Sequence, residues 1–212
     1  MIHELRTYAL HPGKVGQYLG YAETLMRPIR GDRFGRLLGY WSTELGALNQ
    51  IVHLWEFADL AARTTARAGL ARDERWVKEY LPVSAPLLQS QENMILNPVD
   101  WHTIRPSTGM GVYELRSYRT HPGKTAEWLA RFGEAMPVRE QYSAPVGVWS
   151  TEIGPLNTVV SLWAYRDATH RAEVRAAALG DPAWQAFVQK ATSLLQAMEA
   201  KLLVPAPFSP LR

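Results

Sequence analysis

An internal repeat constrains the fold of this chain more than any other feature. Residues 4–14 (ELRTYALHPGK) and 114–124 (ELRSYRTHPGK) match at eight of eleven positions, with an offset of 110. Residues 41–55 (WSTELGALNQIVHLW) and 149–163 (WSTEIGPLNTVVSLW) match at ten of fifteen positions, in the same order, with an offset of 108. The sequence therefore predicts two consecutive copies of one domain of about 100 residues.

The ends of the matching segments predict the domain boundaries. We expect a first domain over residues 1–98 and a second over 111–205, followed by a C-terminal tail at 206–212. Residues 99–110 (VDWHTIRPSTGM) lack periodicity and contain both proline and glycine, which is typical of a linker.

Composition and charge narrow the class of protein. The chain has 212 residues, 47% of them hydrophobic, and no cysteine, which excludes disulfides, thiolate metal sites and cysteine nucleophiles. Its 23 basic and 20 acidic residues are mixed along the chain, so no basic stripe for nucleic acid is expected. No stretch resembles a membrane span or a secretion signal. We expect a soluble cytoplasmic protein that binds neither membrane nor nucleic acid.

Each copy shows the same order of predicted elements. The side chains of ELRTY alternate between two faces, as in a strand. HPGK is typical of a turn, and apolar residues at helical spacing follow it. LLGYWST and NQIVHLWEF read as a hairpin, two helical stretches follow at 59–68 and 73–89, and ENMILNP closes the copy as a strand. The order β-α-β-β-α-β predicts an α+β fold, a ferredoxin-like plait with its helices on one face of an antiparallel sheet.

The alternation in the third strand suggests how each sheet is covered. Val52 and Leu54 are predicted to face the helices, which leaves His53, Trp55 and Phe57 on the far side. Large aromatic side chains rarely face water together. We therefore expect the two copies to pair sheet to sheet, with a chamber between them.

These motifs resemble the NIPSNAP family. The resemblance rests on ELRxYxxHPGK, YWSTELGxLNxxVHLWEF and a closing strand with QEN, and covers Glu4 to Pro98 and Glu114 to Pro205. It implies a member of the dimeric α/β-barrel superfamily, here with both plaits in one chain. Eukaryotic members are associated with mitochondria and with signalling or trafficking partners, and related barrels include haem-degrading and aromatic monooxygenases.

Charged residues share one face of the first strand in each copy. Glu4, Arg6 and Tyr8 alternate along it, and Arg116 and Tyr118 occupy the same places in the second copy. An inward guanidinium can anchor a carboxylate or enolate, and Glu4 could move a proton. The alternative is an internal ion pair with a structural role, because charged side chains are rarely buried without partners.

His53 lies on the same predicted face as Trp55. It could act as a general base or as an axial ligand to haem iron, and a hydrogen-bonded core histidine is the alternative. The second copy has Ser161 at this position, so the first copy is the better candidate for a functional site. The remaining histidines are scattered, and we expect no metal site.

Four tryptophans complete the candidate site. Trp41, Trp55, Trp149 and Trp163 could wall a pocket for a flat small-molecule ligand, or could simply fill the core. Two functions remain open at this point. One is binding or transformation of a small aromatic or oxygenated ligand in the chamber between the sheets. The other is a non-catalytic protein-interaction module with a filled interior. Exposed strand edges would also allow a homo-oligomer.

Overall fold

The computed structural model describes all residues from Met1 to Arg212. The strands are β1 (Ile2–Leu10), β2 (Arg36–Leu45), β3 (Gln50–Phe57), β4 (Leu88–Pro98), β5 (Val112–Thr120), β6 (Pro145–Ile153), β7 (Thr158–Tyr165) and β8 (Leu195–Pro205). The α-helices are α1 (Val15–Tyr21), α2 (Arg27–Arg30), α3 (Leu60–Leu70), α4 (Leu81–Ser84), α5 (Thr125–Glu140), α6 (Ala168–Gly180) and α7 (Pro182–Thr192). No helix is long and apolar enough to cross a membrane.

The chain divides into two compact units. The first unit comprises Met1–Leu96 together with Val204–Arg212, and the second comprises Asn97–Leu203. The C-terminal segment therefore belongs to the unit that contains the N-terminus. This segment forms two hydrogen bonds with Tyr40 of β2. The Ala206 amide donates to the Tyr40 carbonyl (2.9 Å), and the Tyr40 amide donates to Ser209 Oγ (2.9 Å).

Each unit contains four antiparallel strands. In the first unit β1 lies between β3 and β4, and β2 pairs with the outer side of β3. The second unit repeats this arrangement with β5 between β7 and β8, and with β6 beside β7. Hydrogen-bonded strand neighbours follow a closed order, β1-β3-β2-β8-β5-β7-β6-β4. The predicted fold class is confirmed: the chain is a mixed α/β protein with a closed eight-stranded antiparallel barrel.

The helical segments differ between the units. In the first unit a π-helical turn (Ala22–Met26) joins α1 to α2, whereas the second unit has the single helix α5 at the corresponding place. The stretch before β4 is divided into a π-helical turn (Trp76–Tyr80), α4 and a 3₁₀ turn (Ala85–Leu87). Prolines stand at the starts of the last two pieces, as expected for a residue that lacks the amide hydrogen.

The prediction of which sheet face meets the helices is wrong. Trp55 and Phe57 pack in one cluster with Tyr18 and Met26 of the helical segments. In the second unit Trp163 packs in the same way with aromatic residues of α5. The alternation of side chains could not show this, because both faces of β3 are equally apolar. Val52 and Leu54 on one face are buried, and so are Ile51 and Trp55 on the other.

Two repeated residues have local backbone roles. Asn49 and Asn157, each just before the second strand of a hairpin, have φ angles of 56° and 55°. This left-handed region is unfavourable for most side chains, and asparagine tolerates it better than most. Asp59 and Asp167 each cap a helix, because their carboxylates accept amide hydrogen bonds of 2.7 Å from the first turns of α3 and α6.

Candidate functional site

A buried Glu-Arg-Tyr triplet lies on β1. The side chain of Glu4 is 0% exposed, and its Oε1 accepts a hydrogen bond from Arg6 NH1 at 2.8 Å. Arg6 Nε donates to the hydroxyl of Tyr8 at 2.6 Å. Strand register places Glu4 opposite Trp55 and Arg6 opposite His53, so the predicted residues do share one face. These two bonds hold the Arg6 guanidinium against the sheet.

The triplet is bound to helix α3 and strand β4. Arg63 NH2 donates to Glu4 Oε1 at 2.5 Å, and Asn93 Nδ2 donates to the same oxygen at 3.0 Å. Burial alone would raise the pKa of Glu4, but the Arg63 hydrogen bond and the Arg6 charge together lower it. Glu4 is therefore a carboxylate at neutral pH. Its contacts match the structural alternative, an internal ion-pair network.

The second unit repeats most of the network, with one hydrogen bond lost and one gained. Ala200 stands where the first unit has Asn93, so that bond is missing. Glu114 accepts from Arg116 NH1 at 2.8 Å and from Arg171 NH2 at 2.6 Å, as Glu4 does from its own partners. Its second oxygen also accepts from Arg175 NH1 at 3.4 Å. In the first unit the corresponding Oε2 of Glu4 has no hydrogen-bond partner. The arginine at the corresponding place, Arg67, is not among the hydrogen-bond partners of Glu4, although it lines a pocket as Arg175 does.

His53 is buried between aromatic rings. Trp55 Nε1 donates to His53 Nδ1 at 2.5 Å, Tyr40 stacks on the imidazole at 5.0 Å, and the ring of Tyr8 meets it edge-on at 4.7 Å. Burial, and then the charges of Arg6 and Arg30, lower the pKa of His53 well below 6.5. The ring is neutral, and because Nδ1 accepts, the proton must lie on Nε2. That N–H has no hydrogen-bond partner in the protein.

The first pocket lies between this sheet face and the helices of the first unit. It has a volume of about 100 Å³. Tyrosines from four elements line it, together with His53, Arg30 and Arg67. The four tyrosines are Tyr8, Tyr18, Tyr40 and Tyr80. The pocket lining therefore includes several polar groups, among them two arginines, and no acidic residue.

The second pocket lies at the corresponding place in the second unit and is larger and more apolar. Its volume is about 200 Å³. Arg116, Arg139 and Arg175 contribute the charges of its lining. The aromatic lining consists of Tyr118, Trp128, Phe132, Trp163, Trp184 and Phe187. Where the first unit has His53, this unit has Ser161, whose hydroxyl accepts from Trp163 Nε1 at 2.9 Å.

Two of the predicted pocket residues lie on the other sheet face. Trp41 and Trp149 pair in register with Val52 and Val160, and both are buried without lining either pocket. Each indole lies over a glycine two residues earlier, where a Cβ atom would overlap the ring. Trp41 and Trp149 therefore have a packing role, because each ring lies against a glycine that has no side chain.

Sequence reasoning missed the arginines of the helical segments. The guanidinium of Arg30 lies 3.2 Å from the Trp55 ring centroid, and Arg139 lies 4.5 Å from that of Trp163. The repeat could have revealed these arginines, because they recur in both copies. Arginine recurs at an offset of 109 between 30 and 139, and at 108 from 63 to 171 and from 67 to 175. Repeated arginines on a helix face that otherwise looks solvated indicate a shared internal role.

The pockets do not fit the larger cofactor considered for His53. A haem exceeds a cavity of about 100 Å³, since drug-sized ligands already need roughly 300 Å³ or more. No group of three or more His, Asp or Glu residues is placed to hold a metal ion.

Solved structures share the fold. A protein from Lactobacillus acidophilus NCFM aligns with a TM-score of 0.70 and 12% identity, covering 97% of this chain and 93% of that one. An anthrone oxidase-like protein aligns with a TM-score of 0.69 and 14% identity, covering 100% and 94%. At these identities the likeness concerns the fold alone.

Sequence relatives establish the family. The human protein NipSnap homolog 3A is 34% identical over 217 residues, covering 100% of this chain and 86% of the relative. A NipSnap homolog from Dictyostelium discoideum is 32% identical over 210 residues, with 96% and 87% covered. The NIPSNAP family model matches residues 3–103 and again 113–210. This chain therefore belongs to the NIPSNAP family, with two tandem NIPSNAP domains.

Proposed function

We propose that this protein binds a small aromatic acid in the pocket of the second unit. The observation that carries the proposal is Arg139, a buried cation at the wall of an aromatic pocket. Its side chain donates to the carbonyl (3.2 Å) and hydroxyl (2.7 Å) of Ser143, and no carboxylate pairs with it. A buried charge without a counter-charge is costly, and an anionic ligand would supply one.

The size and lining of the pocket suit one aromatic ring. Its volume of about 200 Å³ exceeds the ~150 Å³ of an engineered apolar cavity that binds benzene. Trp163, Trp184 and Phe132 offer ring faces and edges for stacking. Leu179 and Met198, which are 50% and 58% exposed, line the same pocket and give it an apolar mouth.

The charges near the pocket favour an anion. Arg116, Arg139 and Arg175 line it, and Glu114 is the one carboxylate that bonds any of these arginines. Arg171 also binds Glu114, so three arginines share one negative charge while Arg139 has none. A carboxylate or phenolate group beside Arg139 would balance the excess.

Benzoate and its neutral analogue benzamide test the proposal. Isothermal titration should show that the wild-type protein binds benzoate at least tenfold more tightly than benzamide. Arg139→Gln should remove this preference, because the amide can still bond Ser143 but carries no charge. Arg30→Gln changes the matching arginine of the first unit and should leave the preference intact.

Two results would contradict aromatic-acid binding. One is an equal affinity of wild-type protein for the charged and neutral ligands. The other is a benzoate preference that survives Arg139→Gln in a folded protein. Failure of both ligands to bind would favour the alternative function, a protein-interaction module without a ligand.

A further inference from the structure

The first unit contains a polar group that the aromatic-acid proposal does not use. His53 is 3% exposed and lines the pocket of this unit. Its Nδ1 is occupied by the indole N–H of Trp55, and its Nε2–H has no acceptor. A buried donor without an acceptor is uncommon in folded proteins, and a ligand oxygen in the pocket would satisfy it.

The charges around this donor are positive. Arg30 and Arg67 both line the pocket. Arg30 donates only to the carbonyl of Phe34, at 3.3 Å from Nε and 3.0 Å from NH2, and forms no ion pair with a carboxylate. No Asp or Glu lines the pocket. A ligand with negative charge would therefore gain from both guanidinium groups.

The tyrosines of the pocket supply further neutral donors. Burial raises the pKa of Tyr18 and of Tyr40 well above 10, and it raises the pKa of Tyr80 to about 12. All three hydroxyls stay protonated at neutral pH, so they do not compete with a ligand as anions. The Tyr80 hydroxyl donates to that of Tyr18 at 3.2 Å. The Tyr18 hydroxyl can donate onward in turn.

These donors belong to the first unit alone. The repeat replaces His53 with Ser161, Tyr40 with Val148 and Tyr80 with Val188, each at an offset of 108. Shared framework residues cannot explain this difference, since the Glu-Arg-Tyr triplet is unchanged between the two units. The donors His53, Tyr40 and Tyr80 therefore occur in the first pocket and have no counterpart in the second.

We infer that the pocket of the first unit is a binding site for a small oxyanion, held by the His53 Nε2–H with Arg30 and Arg67. A pocket of about 100 Å³ holds roughly three water volumes, which limits the ligand to a few heavy atoms. A short carboxylate and inorganic phosphate share this chemistry. The site is separate from the aromatic pocket and differs from it in ligand class.

The chain itself supplies the best variant for the test. In the second unit a serine replaces the histidine and still accepts the tryptophan N–H, at 2.9 Å. His53→Ser should therefore keep the Trp55 bond and the fold while removing the Nε2–H donor. Ser161→Ala, in the other unit, is the matched control.

Acetate and inorganic phosphate serve as separate probes. Each is titrated at constant ionic strength with sodium chloride as reference, and binding is followed by the ¹H–¹⁵N resonance of the His53 side chain and by calorimetry. We expect at least one probe to shift the Nε2–H resonance of the wild-type protein. His53→Ser should weaken its binding about tenfold or more, whereas Ser161→Ala should leave it unchanged.

The pattern across the probes identifies the ligand chemistry. A response to acetate alone assigns a carboxylate, and a response to phosphate alone assigns a phosphate group. Arg67→Gln, at a half-buried residue, gives a second test that does not depend on the folding of the histidine variant, and should also weaken binding. No response to either probe, or unchanged binding in both variants, would overturn the oxyanion site.

Discussion

Replacing His53 by serine should change how the stability of the protein depends on pH. The folded chain holds this histidine neutral, because burial lowers its pKa well below 6.5. In the unfolded chain the same side chain takes up a proton near pH 6.5. Below that pH the unfolded state therefore binds more protons than the folded state, and the free energy of unfolding falls.

The size of the effect follows from the proton uptake of the unfolded state. Between pH 7.5 and 5.5 this uptake costs the wild-type protein about 1.4 kcal/mol of unfolding free energy. The loss continues down to the folded-state pKa of His53. The His53→Ser variant lacks this contribution. Burial also lowers the pKa of His3 and His102, but both are present in each protein and cancel in the difference.

Urea denaturation at pH 7.5, 6.5 and 5.5 measures the difference. The unfolding free energy of the wild-type protein, relative to that of His53→Ser, should decrease as the pH falls, with little change above pH 7. Parallel pH profiles for the two proteins would refute the neutral, buried histidine. A wild-type protein that gains relative stability at low pH would show that the ring is protonated in the fold.

Further substitutions test the ion-pair network, the packing and a helix cap by urea denaturation. Glu4→Gln should destabilise the protein by about 3 to 5 kcal/mol, because buried arginines lose their counter-charge. Gly39→Ala should cost about 1 to 3 kcal/mol, since the new methyl group would overlap the Trp41 ring. Gly16→Ala, where the methyl group meets nothing within 4 Å, should be neutral or stabilising and serves as its control. Asp59→Ala should cost about 1 kcal/mol by removing the cap of α3, while asparagine there should restore most of it.

Each of these outcomes can contradict its premise. A loss below about 1 kcal/mol in Glu4→Gln would mean that the buried charge is paired less closely than the distances indicate. Equal effects of the two glycine substitutions would remove the packing argument for the tryptophan. A tolerated alanine at the helix cap would show that water satisfies those amides.

The sequence predicted the architecture well, for a physical reason. Two copies of the same strand and helix periodicities, in the same order, leave few topologies open, and the closed barrel agrees with the expected fold class. It could not predict which face of β3 meets the helices, since alternation identifies a face only when one side is polar. Val52 and Trp55 are equally buried, so the pattern carried no such difference.

The candidate site was predictable only in part. The shared face of Glu4, Arg6 and His53 followed from strand alternation and is seen in the register. Their helical partners did not follow, because Arg30 and Arg63 occupy positions that resemble a solvated helix surface. Contacts between a strand and a helix distant in sequence depend on packing geometry, which local periodicity does not encode.

The division of the chain has a consequence for biosynthesis. The second unit is contiguous, from Asn97 to Leu203, whereas the first requires Val204–Arg212 in addition to the N-terminal 96 residues. On the ribosome the unit whose translation begins first is thus the one completed last, only after Val204–Arg212 have left the exit tunnel. A chain truncated after Leu203 would retain every residue of the second unit and lack the closing segment of the first.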